Sequence, residues 1–363
     1  MHASFARGNR YFALPVHCGA VVLVCMWVLA SAAFAQLPGL GPSIRYGDKV
    51  PAEVEQVYER GLQFLAQSQK KDGSWYAEQK GSAINGLCVM AFLAHGEDPN
   101  FGRYSQNIRR AVRHIVEQQD LKTGYLGGSM YHHGFAMLSL AEAYGAVDET
   151  LLWGDQSELG RERSIGAALE LAVRCAMTAQ TKNGLGGWRY SPNATDADTS
   201  VSGAVLMGLL AARNAGIEVP DKVIDNALDY FKARTRSNGA VDYSSSMGGF
   251  SDSMNRSAIT TLVYAIGKRK GWTQFNATMN YIADRTDHKA SSHPSYFRYY
   301  MAQALFQGDF EAWKRWKQDN NVLIRSLQRA DGSVDATYGK AYGTAMALLS
   351  LALEYRFLPI YER

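Results

Sequence analysis

At 363 residues and 47% hydrophobic composition, the chain can bury a large core, as one large domain or as two smaller ones. Charged residues make up 20%, and Lys+Arg exceeds Asp+Glu by only four, 38 against 34. With no basic run and no aromatic-basic alternation, this balance excludes a nucleic-acid binder.

The N-terminus has the layout of an export signal. Arg7 and Arg10 form a basic start, Gly19 to Ala30 is an apolar run, and Ala33-Phe34-Ala35 is an A-x-A cleavage site before Gln36. The apolar run is short of the about 20 residues that a membrane-spanning helix needs. Residues 1–35 are therefore expected to be a cleaved signal peptide, with the mature chain periplasmic or extracellular and without an integral membrane segment. Residues 36–52, with Pro38, Gly39, Gly41, Pro42 and Pro51, read as a linker. Residues 53–363 read as one domain. After cleavage only Cys88 and Cys175 remain, and two buried free thiols are expected. No CxxC and no zinc-ligand spacing occurs, so neither a metal nor another cofactor is expected.

From Val54 onward one unit recurs: a helix, a Gly/aromatic loop, then a helix of small and apolar residues. In the first copy, Val54, Val57, Leu62, Phe64 and Leu65 have helical spacing. Asp72-Gly73-Ser74-Trp75 makes the turn, and Ile84 to Leu93 is the second helix, ended by Gly96. The second copy pairs Ile108 to Val116 with Tyr131 to Tyr144, and Val147 to Arg163 is a polar surface insertion. The third pairs Ser164 to Ala179 with Ser200 to Ala215 across Gly186-Gly187-Trp188. The fourth pairs Val223 to Ala233 with Met254 to Lys268. The fifth pairs Phe275 to Arg285 with Tyr296 to Phe306. The sixth pairs Phe310 to Gln328 with Tyr342 to Tyr355 across Asp331-Gly332-Ser333.

Six such pairs form either an open solenoid or a closed ring, because no pair can bury its apolar face alone. The second helices are apolar nearly all round, and Ala204 to Ala212 carries no charge. The first helices are charged on one side, as at Glu53, Glu55, Glu59 and Arg60. A helix apolar all round is buried on both sides. The asymmetry therefore predicts an all-α (α/α)6 toroid with the second helices inside. Strand signals are almost absent.

The stretch Arg60 to Trp75, RGLQFLAQSQKKDGSW, resembles the QW motif of the squalene-cyclase and protein-prenyltransferase repeat superfamily. Weaker copies carry Gln119, Gln180 with Gly184 and Trp188, and Gln328 with Gly332. The fourth copy has Thr235 at the Gln position, and the fifth has lost the Gly and the aromatic. The resemblance covers about residues 54 to 356 and implies the same toroid. Physically, the Gln is expected to hydrogen-bond the free N–H groups of the next helix. The Trp is expected to stack over the previous repeat. Both are structural staples.

Any site is expected where the inner helices start, since those starts share one end of the ring. Asp196-Ala197-Asp198-Thr199-Ser200 lies where class II cyclases of this superfamily carry D-x-D-D-T-A, whose central acid protonates an alkene. This chain departs from that pattern: aligned on Asp198-Thr199, the protonating position is Ala197, whereas slipping by one puts Asp198 there and leaves Thr199 where the last acid belongs. Asp198 and Asp196 are the candidate catalytic acids; the alternative is that Asp198 or Thr199 caps the helix. His133, Tyr190, Asp252, His293, Tyr296 and Tyr342 are the candidate ligand-binding residues. Asp252 and His293 alone do not make a metal site. Tyr296 belongs to an aromatic fifth inner helix, with Phe297, Tyr299, Tyr300 and Phe306, and such rings either line a lumen or fill a core.

Three function classes follow. The first is an exported binding or scaffold module with an apolar lumen for an isoprenoid or other apolar ligand, or with a rim for a protein partner. The second is a class II cyclase-like enzyme with Asp198 as general acid. The third is a polysaccharide lyase, in which Arg189, Arg256, Arg298 and Tyr190 are the groups to be brought together.

Overall fold

In the computed structural model the described residues are 50–79, 81–153, 163–244, 254–287, 292–355 and 358–362. The predicted signal peptide, most of the predicted linker, and Asp252 lie outside them. The domain is one unit spanning Val50–Arg363.

Twelve helices alternate between an outer and an inner layer. The outer helices are α1 (Ala52–Ser68), α3 (Ser105–Glu117), α6 (Ile165–Asn183), α8 (Asp221–Arg234), α10 (Thr273–Ala283) and α12 (Phe310–Leu327). The inner helices are α2 (Ala83–Ala94), α4 (Met130–Ala143), α7 (Thr199–Asn214), α9 (Met254–Ile266), α11 (Pro294–Gly308) and α13 (Lys340–Leu351). Two short α-helices, α5 (Glu149–Trp153) in the predicted insertion and α14 (Pro359–Glu362) near the end, and a 3-10 turn at Ala352–Glu354 complete the helices of the described residues. Among the described residues only isolated β-bridges occur, and no helix is long and apolar enough to cross a membrane.

The two layers follow from composition. In α1 the buried positions are Val54, Val57, Tyr58, Gly61, Leu62 and Leu65, one stripe at 3–4 spacing. In α2 every residue from Ala83 to Ala94 is buried. Each inner helix packs on the next, and α13 packs on α2, so the inner ring is closed. Each outer helix lies against the inner helix of the preceding pair, and α1 lies against α13. The first pair is thus completed by the last, which an open solenoid would not allow. Cys88 and Cys175 are buried and unpaired.

The Gln side chains stitch the outer layer. Gln69 Nε2 donates to Gly73 O in its own turn (3.0 Å) and to Asn107 O in α3 (2.9 Å). Gln119 does the same with Gly124 O and Ala168 O, and Gln180 with Gly186 O and Val223 O. Gln328 closes the ring, donating to Gly332 O (3.1 Å) and to Val57 O in α1 (2.8 Å). The expected partner was the next helix's free N–H groups; the observed one is a carbonyl. A helical carbonyl keeps a second lone pair after its own helix bond, and the amide NH2 takes it. Gln69 Oε1 is then turned to Asn107 Nδ2 and Arg110 Nη2, both at 2.8 Å.

The turn glycines let the repeats approach. Gly73 sits at φ +85°, and a Cβ there would fall 2.2 Å from Arg110 O of α3. The Trp side chains add a hydrogen bond to each turn. Trp75 Nε1 donates to Leu65 O (2.7 Å), and Trp188 Nε1 to Ala176 O (2.8 Å). Each indole N–H therefore bonds the outer helix of its own pair, and Trp75 also shares a small cavity with Asp335, Ala336 and Ala341 of the sixth pair, its neighbour around the ring.

Candidate functional site

A cavity of about 790 Å³ opens where the inner helices start. Its apolar lining is Ala83 and Ile84 at the start of α2 and, about a turn further into their helices, Leu87 of α2, Phe135 of α4 and Met346 of α13, which form its floor. Its walls and mouth carry six tyrosines, Tyr131, Tyr190, Tyr243, Tyr296, Tyr338 and Tyr342. His132, His293 and Arg256 add the titratable nitrogens, and no Asp or Glu lines the cavity among the described residues. The lumen is therefore amphipathic, apolar at depth and rich in hydroxyl groups above.

Of the residues singled out from the sequence, Tyr190, His293, Tyr296 and Tyr342 are brought together on this cavity. His133 is not. It is fully buried, its Nδ1 accepts from Leu126 N (3.2 Å), and its Nε2 faces Ala172 O (3.0 Å). That pairing puts the proton on Nε2, and burial pushes the imidazole down to about 4. His133 is a neutral tie between the loop before α4 and the outer helix α6. Its neighbour His132 faces the lumen instead. The phase was readable: Tyr131 and Phe135 are four apart and share a face, and a step of 100° per residue turns His133 to the opposite side.

Asp198 is the N-cap of α7. Its side chain accepts from Val201 N (2.9 Å), it is 1% exposed, and it does not line the cavity. Its Oδ2 receives no hydrogen bond, the nearest cation being Arg189 Nε at 3.6 Å. Burial pushes the carboxyl up to about 6, against the opposing pull of the Val201 N–H and Arg189. Asp196 is half-exposed at the rim, 3.1 Å from Arg189 Nη1. The Arg189 guanidinium lies over the rings of Tyr190 and Tyr243, 5.3 Å from each centroid, and those two hydroxyls meet at 2.8 Å. The loops of the third and fourth pairs are held in register by Asp198 N to Trp188 O and Thr199 N to Tyr243 O, both 2.9 Å. Arg189 is thus spent on two carboxylates, and Arg298 does not reach the cavity, so of the four groups a lyase would gather only Tyr190 and Arg256 line it.

One prediction follows for Asp198. Its folded-state proton affinity exceeds that of an unfolded Asp, so the folded state binds the extra proton between about pH 4 and 6. That contribution to stability is present at low pH and is lost as pH rises through about 6. Asn caps about as well without the charge. Asp198→Asn should therefore be more stable than wild type at pH 8, by about 1–3 kcal/mol, with the gap closing by pH 4. His133 titrates in the opposite sense, so the measurement is the variant-minus-wild-type difference in urea unfolding at each pH. A variant less stable than wild type at pH 8 would show that the charge paired to Arg189 is worth more than its burial costs.

The sequence reading missed Tyr243, Tyr338, Ser200 and the floor residues. Tyr338 and Tyr243 sit on loops, where helical spacing gives no phase. The floor residues lie on helices buried all round, where hydrophobicity does not distinguish the lumen side.

No protein-family model matches the chain, and no curated protein matches it. Solved structures do share its fold. The type II terpene cyclase MstE from Scytonema, in its apo form, aligns over 86% of this chain and 100% of its own, with 17% identity and a TM-score of 0.54. A variant of MstE bound to its substrate geranylgeranyl dihydroxybenzoate aligns over 85% and 99%, with 16% identity and a TM-score of 0.57. An α-1,6-mannanase from Salegentibacter sp. HEL1_6 aligns over 84% and 99%, with 8% identity and a TM-score of 0.61. At these identities the likeness is one of fold, the helical toroid.

Proposed function

We propose that the chain is a ligand-binding toroid, exported by its N-terminal segment and akin to the squalene-cyclase and prenyltransferase repeat proteins, whose lumen holds the apolar part of a small ligand. The observation that carries this reading is the cavity itself. About 790 Å³ is within the range of small-molecule sites, and an apolar floor under a ring of oriented polar groups is how such sites combine affinity with orientation. The substrate bound by MstE has an isoprenoid chain, which makes an isoprenoid a fitting first probe.

The test is calorimetric titration with farnesol. Met346→Trp places an indole on the cavity floor and should weaken farnesol binding by about tenfold or more, since overfilling a packed site leaves no room for the ligand. Thermal unfolding checks that the variant folds. A folded variant with undiminished affinity would remove the lumen as the site, and no farnesol binding by wild type would remove the apolar-ligand reading.

A second reading has one observation in its favour. Asp198 holds a proton up to about pH 6 and has one oxygen without a hydrogen bond, as a cyclase acid would need. Incubation with an isoprenoid polyene at pH 5, with Asp198→Asn as the control, tests it. A cyclised product absent from the variant would promote that reading above binding.

A further inference from the structure

We infer that the seam between α6 and α8 receives a guanidinium from outside the chain, held by Gln180 Oε1 and the Asp229 carboxylate. The site lies in the outer layer and shares no lining residue with the lumen, so it stands independently of the binding reading above.

The repeats themselves supply the comparison. Gln69, Gln119, Gln180 and Gln328 all use the amide NH2 in the same way. What differs is the amide oxygen. Between α1 and α3, Gln69 Oε1 takes Arg110 Nη2 at 2.8 Å. Between α3 and α6, Gln119 Oε1 takes Arg163 Nη1 at 2.6 Å. At the closing seam Arg60 is present but donates to Arg329 O and Ala330 O, and Gln328 Oε1 is buried with no partner.

The seam between α6 and α8 has an asparagine in place of that arginine. The turn glycine marks the place, because an added Cβ would meet the carbonyl of the residue there. Gly73 meets Arg110 O at 2.2 Å, Gly332 meets Arg60 O at 2.2 Å, and Gly186 meets Asn226 O at 2.3 Å. No described residue donates to Gln180 Oε1. A pocket of about 440 Å³ opens instead, lined by Gln180, Thr181, Asn226, Asp229 and Arg234 among others. Gln180 is only 3% exposed, so the pocket wall carries a buried acceptor without a donor, which is costly unless something fills it.

The chemistry of the guest follows from the two acceptors. Asp229 lies three residues along α8 from Asn226, is exposed, and forms no ion pair with a described residue. A guanidinium carries several N–H groups in one plane and can serve an amide oxygen and a carboxylate together. A urea group has the same shape without the charge. Arg234 is the like charge in the pocket. Its Nη1 turns to Ser244 O at 3.4 Å, and its Nε is buried without a partner. It weakens the hold on a bare cation and favours a guest that also brings a carboxylate. Free arginine brings one; an arginine side chain within a partner protein does not.

The experiment titrates the purified protein calorimetrically, near neutral pH, with N-acetyl-L-arginine amide, its citrulline counterpart and free L-arginine. The arginine amide should bind about threefold to tenfold more tightly than the citrulline amide, and Asp229→Asn should shrink that ratio. Asn226→Arg supplies the guanidinium from the chain itself. It should abolish arginine binding and raise the thermal midpoint by about 1–3 °C. Tighter binding of free arginine than of its amide would support a small-molecule guest; tighter binding of the amide would support an arginine side chain of a partner. Equal affinity for the arginine and citrulline amides would overturn the inference. So would undiminished arginine binding by a folded Asn226→Arg, or no binding of either arginine probe by wild type.

Discussion

Trp75→Ala is expected to lower the stability of the folded domain by about 3–5 kcal/mol, the range for removing a buried Trp from a core that relaxes only partly. Trp75 is 3% exposed. Its backbone N–H reaches Asn85 Oδ1 of α2, and its indole N–H takes Leu65 O, one of the last four carbonyls of α1. The last carbonyls of a helix lack a backbone partner within it, and Leu65 O has otherwise only a long contact from Ser68 Oγ at 3.4 Å, so the bond serves as a cap as well as a packing contact. Trp75→Phe separates the two parts. It keeps most of the bulk and leaves the carbonyl only the long Ser68 contact, and should cost about 1–3 kcal/mol. Urea unfolding of the two variants beside wild type measures both. A loss under about 1 kcal/mol for Trp75→Ala would show that the ring holds nothing together.

The ring and its layering were legible because they are written in composition. Outer helices carry charge on one side, inner helices are apolar nearly all round, and the Gln and Gly positions together mark four of the six turns. The direction of the Gln hydrogen bonds was not legible, because an amide both donates and accepts and only the geometry chooses. The end of the ring that carries the cavity followed from the repeated helix order, and Tyr190, His293, Tyr296 and Tyr342 are found there. The choice between His132 and His133 was mistaken even though the spacing of Tyr131 and Phe135 contains the answer. The role of Asp198 was divided between cap and acid. The structure makes it a cap, yet burial raises its proton affinity, a property set by tertiary surroundings that no local motif records.

Gly332→Ala should destabilise the domain by about 2–6 kcal/mol, the sum of left-handed backbone strain and overpacking. Gly332 lies at φ +84°, and a Cβ there would fall 2.2 Å from Arg60 O. That contact is backbone, so no side-chain rotation relieves it. The same turn is where the ring closes: Gln328 reaches Val57 O, and Arg60 Nη2 donates back to Arg329 O at 2.7 Å. Gly216→Ala is the control. Gly216 has φ +94° but nothing within 4 Å of the added Cβ, so it should cost only the strain, about 1–3 kcal/mol. The comparison also reaches function. The closing seam brings α13 against α2, and these two helices supply Met346 and Leu87 to the cavity floor. Forcing the seam apart should weaken farnesol binding in Gly332→Ala and leave it intact in Gly216→Ala, under conditions where both variants are folded. Equal binding by the two would mean that the floor keeps its shape without a tight closure. Weaker binding in Gly332→Ala alone would tie the lumen to the last turn of the ring, whose fit depends on one hydrogen atom in place of a methyl group.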